Sequence, residues 1–593
     1  MPIAPDGGDG GAGHCAGVER LLGNESVSNA TEAVTTDPSA APSSGLERGI
    51  DWTGAFWVAS GVPPLVLFGI GAVAATVGKI SWLIWMASIA MGFVQSFTYA
   101  EIAGLFPNKS GGTSVYGAIA WVRYSKLLAP VSVWCNWLAW SPVQSIGSAL
   151  AAGYMLNGLF APDSIINSWQ LTLLDLSAVK SGLTLRINGT FILGAAIMLI
   201  VKIIQDGGIL RSANTTKIIG ITATIPLILV GVVPLLTGDV FNVHFTEHFF
   251  PLAPLAHDAA GRVIDGTYNM AGITLVAAGM FLAAWSTYGF ETAVCYTGEF
   301  KNPKTDTFKA IFYSGLLCVV VYTIVPFSFQ GFMGLGDLVT PAILDAKGGV
   351  LTPAIYSGML APDIYNNTGV GSVMAKMVHI GGNVGGAIVV LLLILAVVLA
   401  IMTSMSGSSR TLYQASIDGW LPKYLSKVNQ HGAPTNAMLT NLGFNLILLM
   451  MSDYVFVLGA ANVAYLIFNF LNLHSGWIHR LDRPTQERPW RAPTWIIVAG
   501  TTLSFVNLAF MGFGADSYGR GTLAAGLAVS ALILPVFVWR HYIQDKGTFP
   551  AAMLVDLELG DDGKATTRAG IWPFAALVAG VVVVYVTHRL AVY

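Results

Sequence analysis

Charge is what this 593-residue chain lacks. Asp, Glu, Lys and Arg make up only 10% of it, hydrophobic residues make up 54%, and the formal net charge is -2. The mean hydropathy of +0.64 is far from that of a chain cut into ordinary soluble domains. No basic cluster is present, which excludes a nucleic-acid partner. Cysteine is scarce as well: there are four. No CxxC pair or Cys/His spacing occurs, so neither a disulfide framework nor a metal centre is expected, and no cofactor motif stands in their place. A GxxxxGK[ST] loop is missing, which argues against an ATP-driven pump. HExxH and GxSxG are missing too, which leaves a membrane enzyme without its nucleophile or metal.

What the sequence has is long apolar runs. A run of about 20 residues crosses a hydrocarbon core of about 30 Å as a helix. Helices are expected near 54–77, 81–104, 127–160, 187–206, 214–237, 272–297 and 307–334. A second set falls near 383–414, 435–452, 455–479, 494–514, 519–541 and 571–591. The expected fold is an all-α polytopic membrane protein of about twelve transmembrane helices plus a thirteenth. Residues 1–50, rich in Gly, Ser, Thr and Ala without an apolar core, read as a disordered cytoplasmic tail. Residues 51–541 form the transmembrane domain, 542–570 a cytoplasmic linker and 571–593 the additional C-terminal helix. Most of the 30 Lys and Arg residues fall in alternate connecting segments, those on the same side as the N-terminus. Lys109, Arg123, Lys202, Lys301, Arg410, Arg483 and Arg540 are among them. That asymmetry places the N-terminus in the cytoplasm. The stretches 158–186, 238–271 and 335–380 read as long external loops.

Two of the runs are interrupted. The first contains Gly61-Val62-Pro63-Pro64, whose prolines cannot donate backbone hydrogen bonds and whose rings clash with the preceding turn. The sixth contains Ser286-Thr287-Tyr288-Gly289, followed two residues later by Glu291. Broken helix is tolerated in lipid only where protein or a water-filled cavity satisfies the freed groups. A carboxylate at the centre of a span costs about 2.5–3.5 kcal/mol, so it faces a cavity or a partner. Interrupted helices in corresponding positions of two halves point to an inverted-repeat transporter with its site near the midplane. An ordinary proline kink in the first helix and a structural hydrogen bond between Glu291 and a neighbouring helix are the competing readings.

Four stretches carry a family resemblance by their order and spacing: TYAEIAGLFPNKSGGTSVY, WSTYGFETAVCYTGEFKNPK, SSRTLYQASIDGWLPKYLSKVNQHGAPTNA and HRLDRPTQERPWRAP. Over about residues 54–541 the chain resembles the amino acid–polyamine–organocation (APC) superfamily. The resemblance implies a five-plus-five inverted repeat with helices one and six unwound around the substrate. By it, Gly61, Val62, Pro63 and Pro64 together with Ser286, Thr287, Tyr288 and Gly289 hold an amino acid's α-carboxylate and α-amino groups. Trp285 matches an aromatic position that closes over the substrate, and Gln144 an amide of helix three, with Trp140 one turn before it. Glu291 matches the glutamate implicated in gating and proton sensing. Thr403 and Ser404 lie near the place where sodium-coupled relatives put hydroxyl ligands, although hydroxyls are also ordinary helix-packing groups.

The sequence departs from that pattern in two places. Val62-Pro63-Pro64-Leu65 replaces a Gly-x-Gly cluster, so fewer N–H groups meet a carboxylate. Ala223 stands where some proton-coupled relatives carry a lysine, and Lys217 reads as a snorkelling charge nearer the helix end. Glu101 reads as a structural partner for a loop group and His474 as interfacial. The expected function is secondary transport of neutral or weakly cationic amino acids across the cell membrane, with H+ or Na+ as the coupling ion. Polyamine or organic-amine transport is the runner-up, and a membrane enzyme and a transporter-like sensor are the other classes.

Overall fold

The computed structural model describes residue 46 and residues 48–593, apart from 162, 243–248, 258–262, 337, 342, 345–349, 353, 366–368, 380–381 and 560–564. The expected tail therefore lies almost wholly outside the described residues. The rest is predominantly helical. Among the described residues, nine helical stretches are long and apolar enough to cross a membrane.

The first stretch is broken where the prolines stand. Helix α1 (Trp52–Ala59) is capped by Asp51, whose carboxylate accepts from Gly54 N–H at 3.0 Å. A 3-10 turn over Pro63–Leu65 follows, and α2 (Val66–Val77) resumes beyond it. Helix α3 (Ser81–Gly104) is continuous. A short buried helix, α4 (Thr113–Trp121), then occupies what the sequence reading leaves as a loop. Its apolar run is too short to register as a span.

The expected span 127–160 is two helices, α5 (Leu128–Trp140) and α6 (Val143–Leu159). Pro142 has no N–H to continue the ladder, and the chain turns there. Between α6 and α7 (Gly189–Gln205) the long loop holds an antiparallel hairpin, β1 (Gln170–Asp175) with β2 (Thr184–Asn188), in register Gln170 to Asn188. Helix α8 (Gly208–Thr237) carries Pro226 and Pro234 without breaking.

Helix α9 (Met270–Thr287) ends at the second interruption, and Gly289–Glu299 continues as a 3-10 helix. Helix α10 (Pro303–Met333) packs along α3, α8 and the 3-10 segment. After α11 (Val370–Met377) come α12 (Gly382–Ile417), α13 (Thr435–Leu449), α14 (Tyr454–Asp482) and α15 (Thr494–Gly514). The expected span 519–541 is made of α16 (Thr522–Ala531), α17 (Ile533–Val538) and a wide π turn over Trp539–Gln544. A short α18 (Ala551–Leu557) precedes α19 (Trp572–Leu590). Helix α19 packs on α15, where Gly512 and Gly580 let the backbones approach, and its outer face carries exposed Val578, Val581 and Tyr585. An apolar outer face on a peripheral helix is what contact with lipid calls for.

Candidate functional site

The two breaks lie against each other because a third helix ties them together. Tyr322 of α10 places its hydroxyl 3.0 Å from Val62 O and 3.1 Å from Ser286 O. The hydroxyl's one proton lies within reach of two carbonyls that each also accept a backbone N–H, Leu65 N–H to Val62 O at 2.9 Å and Tyr288 N–H to Ser286 O, so a single side chain touches both breaks. Gly289 makes the approach feasible: a β-carbon there would come 3.0 Å from Val62 Cγ1 and overlap the Trp140 ring. Gly61 does the same against α12, where a β-carbon would lie 2.6 Å from Leu399 O.

Glu291 sits just past the second break, 2% exposed. Its carboxylate accepts from Thr113 Oγ1 at 2.7 Å and from Trp140 Nε1 at 3.1 Å. Both partners are neutral. The rings around it form a box. Trp285 lies 6.1 Å from Phe68 and 6.4 Å from Trp140, and Trp140 meets Tyr465 edge-on at 5.8 Å. Trp285 is held by its own N–H, which donates to Ala139 O at 2.9 Å. Aromatic rings beside a carboxylate are an arrangement that favours positive charge.

Gln144 and Ser404 border the box. Ser404 Oγ donates to Trp140 O at 2.6 Å, and Gln144 Nε2 lies 3.3 Å from Ser404 Oγ. Gln144 Oε1 is buried without a hydrogen-bond partner among the described residues. Thr403 turns the other way and donates to Val58 O of α1. The two hydroxyls thus bond in different directions. The Thr287 and Tyr288 hydroxyls bond away from the box, although the Tyr288 ring lies 6.2 Å from that of Tyr465. Thr287 meets Ser88 of α3 at 2.7 Å, and Tyr288 donates to Asn507 of α15 at 3.0 Å. The Ser286 hydroxyl donates back to Ala283 O at 3.3 Å.

Of the residues singled out from sequence, the structure gathers Trp140, Gln144, Trp285, Gly289, Glu291 and Ser404 into one cluster beside the Gly61–Pro64 break. Tyr322, Thr113, Phe68 and Tyr465 belong to that cluster and were missed. No local pattern marks them, since the Tyr322–Val62 pair alone is 260 residues apart in sequence. Two blander readings have different outcomes. Glu101 takes a structural role, accepting from Arg480 Nη2 at 2.6 Å, Arg488 Nε at 3.1 Å and Ala492 N–H at 2.8 Å. His474 is not interfacial: it is 1% exposed, with Nδ1 2.9 Å from Phe470 O. Its position one turn after Phe470 tucks the ring between Phe470 and Phe505.

Long apolar helices packed around two interrupted ones define a multi-pass membrane protein of the transporter class. The comparisons with known proteins name the group. Residues 50–538 match the family described as amino acid permease, and the chain belongs to that family, within the APC superfamily. It is also similar to an uncharacterised transporter of Legionella pneumophila, 23% identical over 413 residues that cover 66% of this chain and 73% of the relative.

Proposed function

We propose that this membrane transporter is a secondary carrier of small amino compounds, working by alternating access across the cell membrane. In this reading the fold is a five-plus-five inverted repeat with about twelve spans and a thirteenth at 571–591, the N-terminus and the 542–570 linker are cytoplasmic, and 1–50 is a tail outside the transport domain. The substrate lies between the two breaks. Gly61 to Pro64 and Ser286 to Gly289 supply backbone groups, Trp285 and Trp140 supply ring faces, and Gln144 supplies an amide. Glu291 couples or gates by exchanging a proton, and Thr403 and Ser404 are the place to look for a sodium ion. The single observation that carries this reading is the Tyr322 hydroxyl within hydrogen-bond distance of both Val62 O and Ser286 O. It brings one side chain against both breaks, as a shared site between them requires.

The leading substrate class is a neutral or weakly cationic amino acid. Organic amines are the second reading, and specific observations favour them. Pro63 and Pro64 have no N–H, and those of Val62 and Leu65 already bond to Ala59 O and Val62 O at 3.0 and 2.9 Å. That leaves little to receive an α-carboxylate, whereas Glu291 in its ring box is ready for an ammonium. Uptake of labelled amino acids and amines into liposomes by the purified protein, each competed by the others, tests both readings. Concentrative uptake of an amino acid supports the first, and uptake of amines alone supports the second. Binding without uptake would make the protein a sensor, and chemical conversion of the solute would make it an enzyme.

A further inference from the structure

The chain beyond the family match, which ends at residue 538, returns to the bundle and seizes the loop that backs the site. Residues 549–559, with α18 at their centre, lie across the ends of α3, α12 and α14. Phe549, Met553 and Leu557 are buried there, and the Phe549 ring sits 5.3 Å from that of Trp420. Gly419, at φ +87°, fits under Pro550 where a β-carbon would come within 2.6 Å of its ring.

Charge fixes the segment in place. Asp556 lies 2.7 Å from Lys109 Nζ, which also pairs with Asp418 at the end of α12 at 2.5 Å. Glu558 receives Arg483 at 3.2 Å and Arg123 at 3.3 Å, and Leu557 O accepts from Arg123 at 3.1 Å. Downstream, Ala569 N–H donates to Asp482 at 3.1 Å.

The loop so held leads straight to the site. Four residues after Lys109, Thr113 donates to Glu291. Between them, Gly111 N–H donates to Cys295 O of the 3-10 segment at 2.9 Å, and Gly112 packs on the Cys295 sulfur. Lys109 therefore has two carboxylate partners, one on α12 and one on a segment outside the family's own domain.

We infer that residues 549–559 are an intramolecular strap, an autoinhibitory contact that keeps this face of the transporter closed until Asp556 and Glu558 let go of Lys109, Arg483 and Arg123. The inference rests on the alternating-access reading for its consequence in transport, but the contact itself is testable without it. Cys295 is a native reporter: it is buried behind the strapped loop, while Cys135 and Cys318 are buried elsewhere in the bundle.

The test uses the full-length protein carrying Asp556→Asn with Glu558→Gln, labelled with a membrane-impermeant maleimide and mapped by mass spectrometry. Glu487→Gln is the control, because its pair with Lys304 is exposed and lies off the strap. Labelling of Cys295 should rise about fivefold or more, the change that a modest loss of holding energy produces. Cys135 and Cys318 should stay at the control rate, and solute flux in liposomes should rise in step. Unchanged Cys295 labelling, or equal gains at all three cysteines, would overturn the strap, the latter because it reports general loosening. If Cys295 alone responds and neither wild type nor variant moves any solute, the strap stands and the transport reading falls.

Discussion

The ion pair between Arg410 and Glu299 offers a sharp energetic test of how the broken helix is anchored. Glu299 is the last residue of the 3-10 segment and its side chain is 1% exposed; Arg410 lies on α12 at 4%. The contact is two-pronged, Nη2 to Oε2 at 2.9 Å and Nε to Oε1, and the guanidinium also donates to Ser406 O at 3.0 Å and stands 5.1 Å from the Tyr296 ring centre. Removing one member of a buried pair leaves an uncompensated charge and costs about 3–5 kcal/mol, whereas removing both is often neutral or stabilising. Arg410→Met should therefore destabilise the protein strongly, and Arg410→Met with Glu299→Met should recover most of that loss. Denaturant unfolding of the detergent-solubilised single and double variants, read as a double-mutant cycle, measures the coupling. If the double variant is as unstable as Arg410→Met alone, the pair is not what fixes the end of the broken helix to α12.

Two other outcomes follow from the architecture. Trp285→Ala should weaken solute binding by about thirtyfold or more, in line with a loss of about 2 kcal/mol or more at an aromatic anchor, while insertion and yield stay near wild type; unchanged binding would remove Trp285 from the site. On the proposed layout of thirteen spans with a cytoplasmic N-terminus, a cysteine appended after Tyr593 should label only from outside the cell; labelling only from the cytoplasm would refute the thirteenth span.

The parts of the fold that could be read from sequence are those with a local cause. Pro63 and Pro64 lack an N–H, and the helix breaks there; Ser286–Gly289 interrupts an apolar run, and α9 ends there. Helix α3 falls on its expected residues because a long uniform apolar run leaves little else to form. Pro142 was as visible as Pro63, yet the run 127–160 was read as one span because apolar content on both sides outweighed one missing donor. Helix α4 and the β1–β2 hairpin were read as loop, since neither is long enough to stand out. The site was half legible. Its glutamate and tryptophans announce themselves as costly or bulky groups in lipid, but their partners do not. Tyr322, Thr113 and Tyr465 are unremarkable in sequence, and only the packing of α10, α4 and α14 brings them to the breaks. His474 stands near a helix end, where a polar ring suggests the interface, yet Phe470 and Phe505 bury it inside the bundle.

The central claim is that the paired breaks and Glu291 form a transport site in which the carboxyl changes its protonation. Glu291→Gln keeps the shape, and its amide can still accept from Thr113 or Trp140, but it no longer titrates. The most direct measurement is transport rate against pH for wild type and Glu291→Gln in the same liposomes. The account predicts that the wild-type rate changes with pH, that the variant's curve is nearly flat, and that binding at one favourable pH survives. Two curves of the same shape that differ only in height would contradict it and make Glu291 a packing residue.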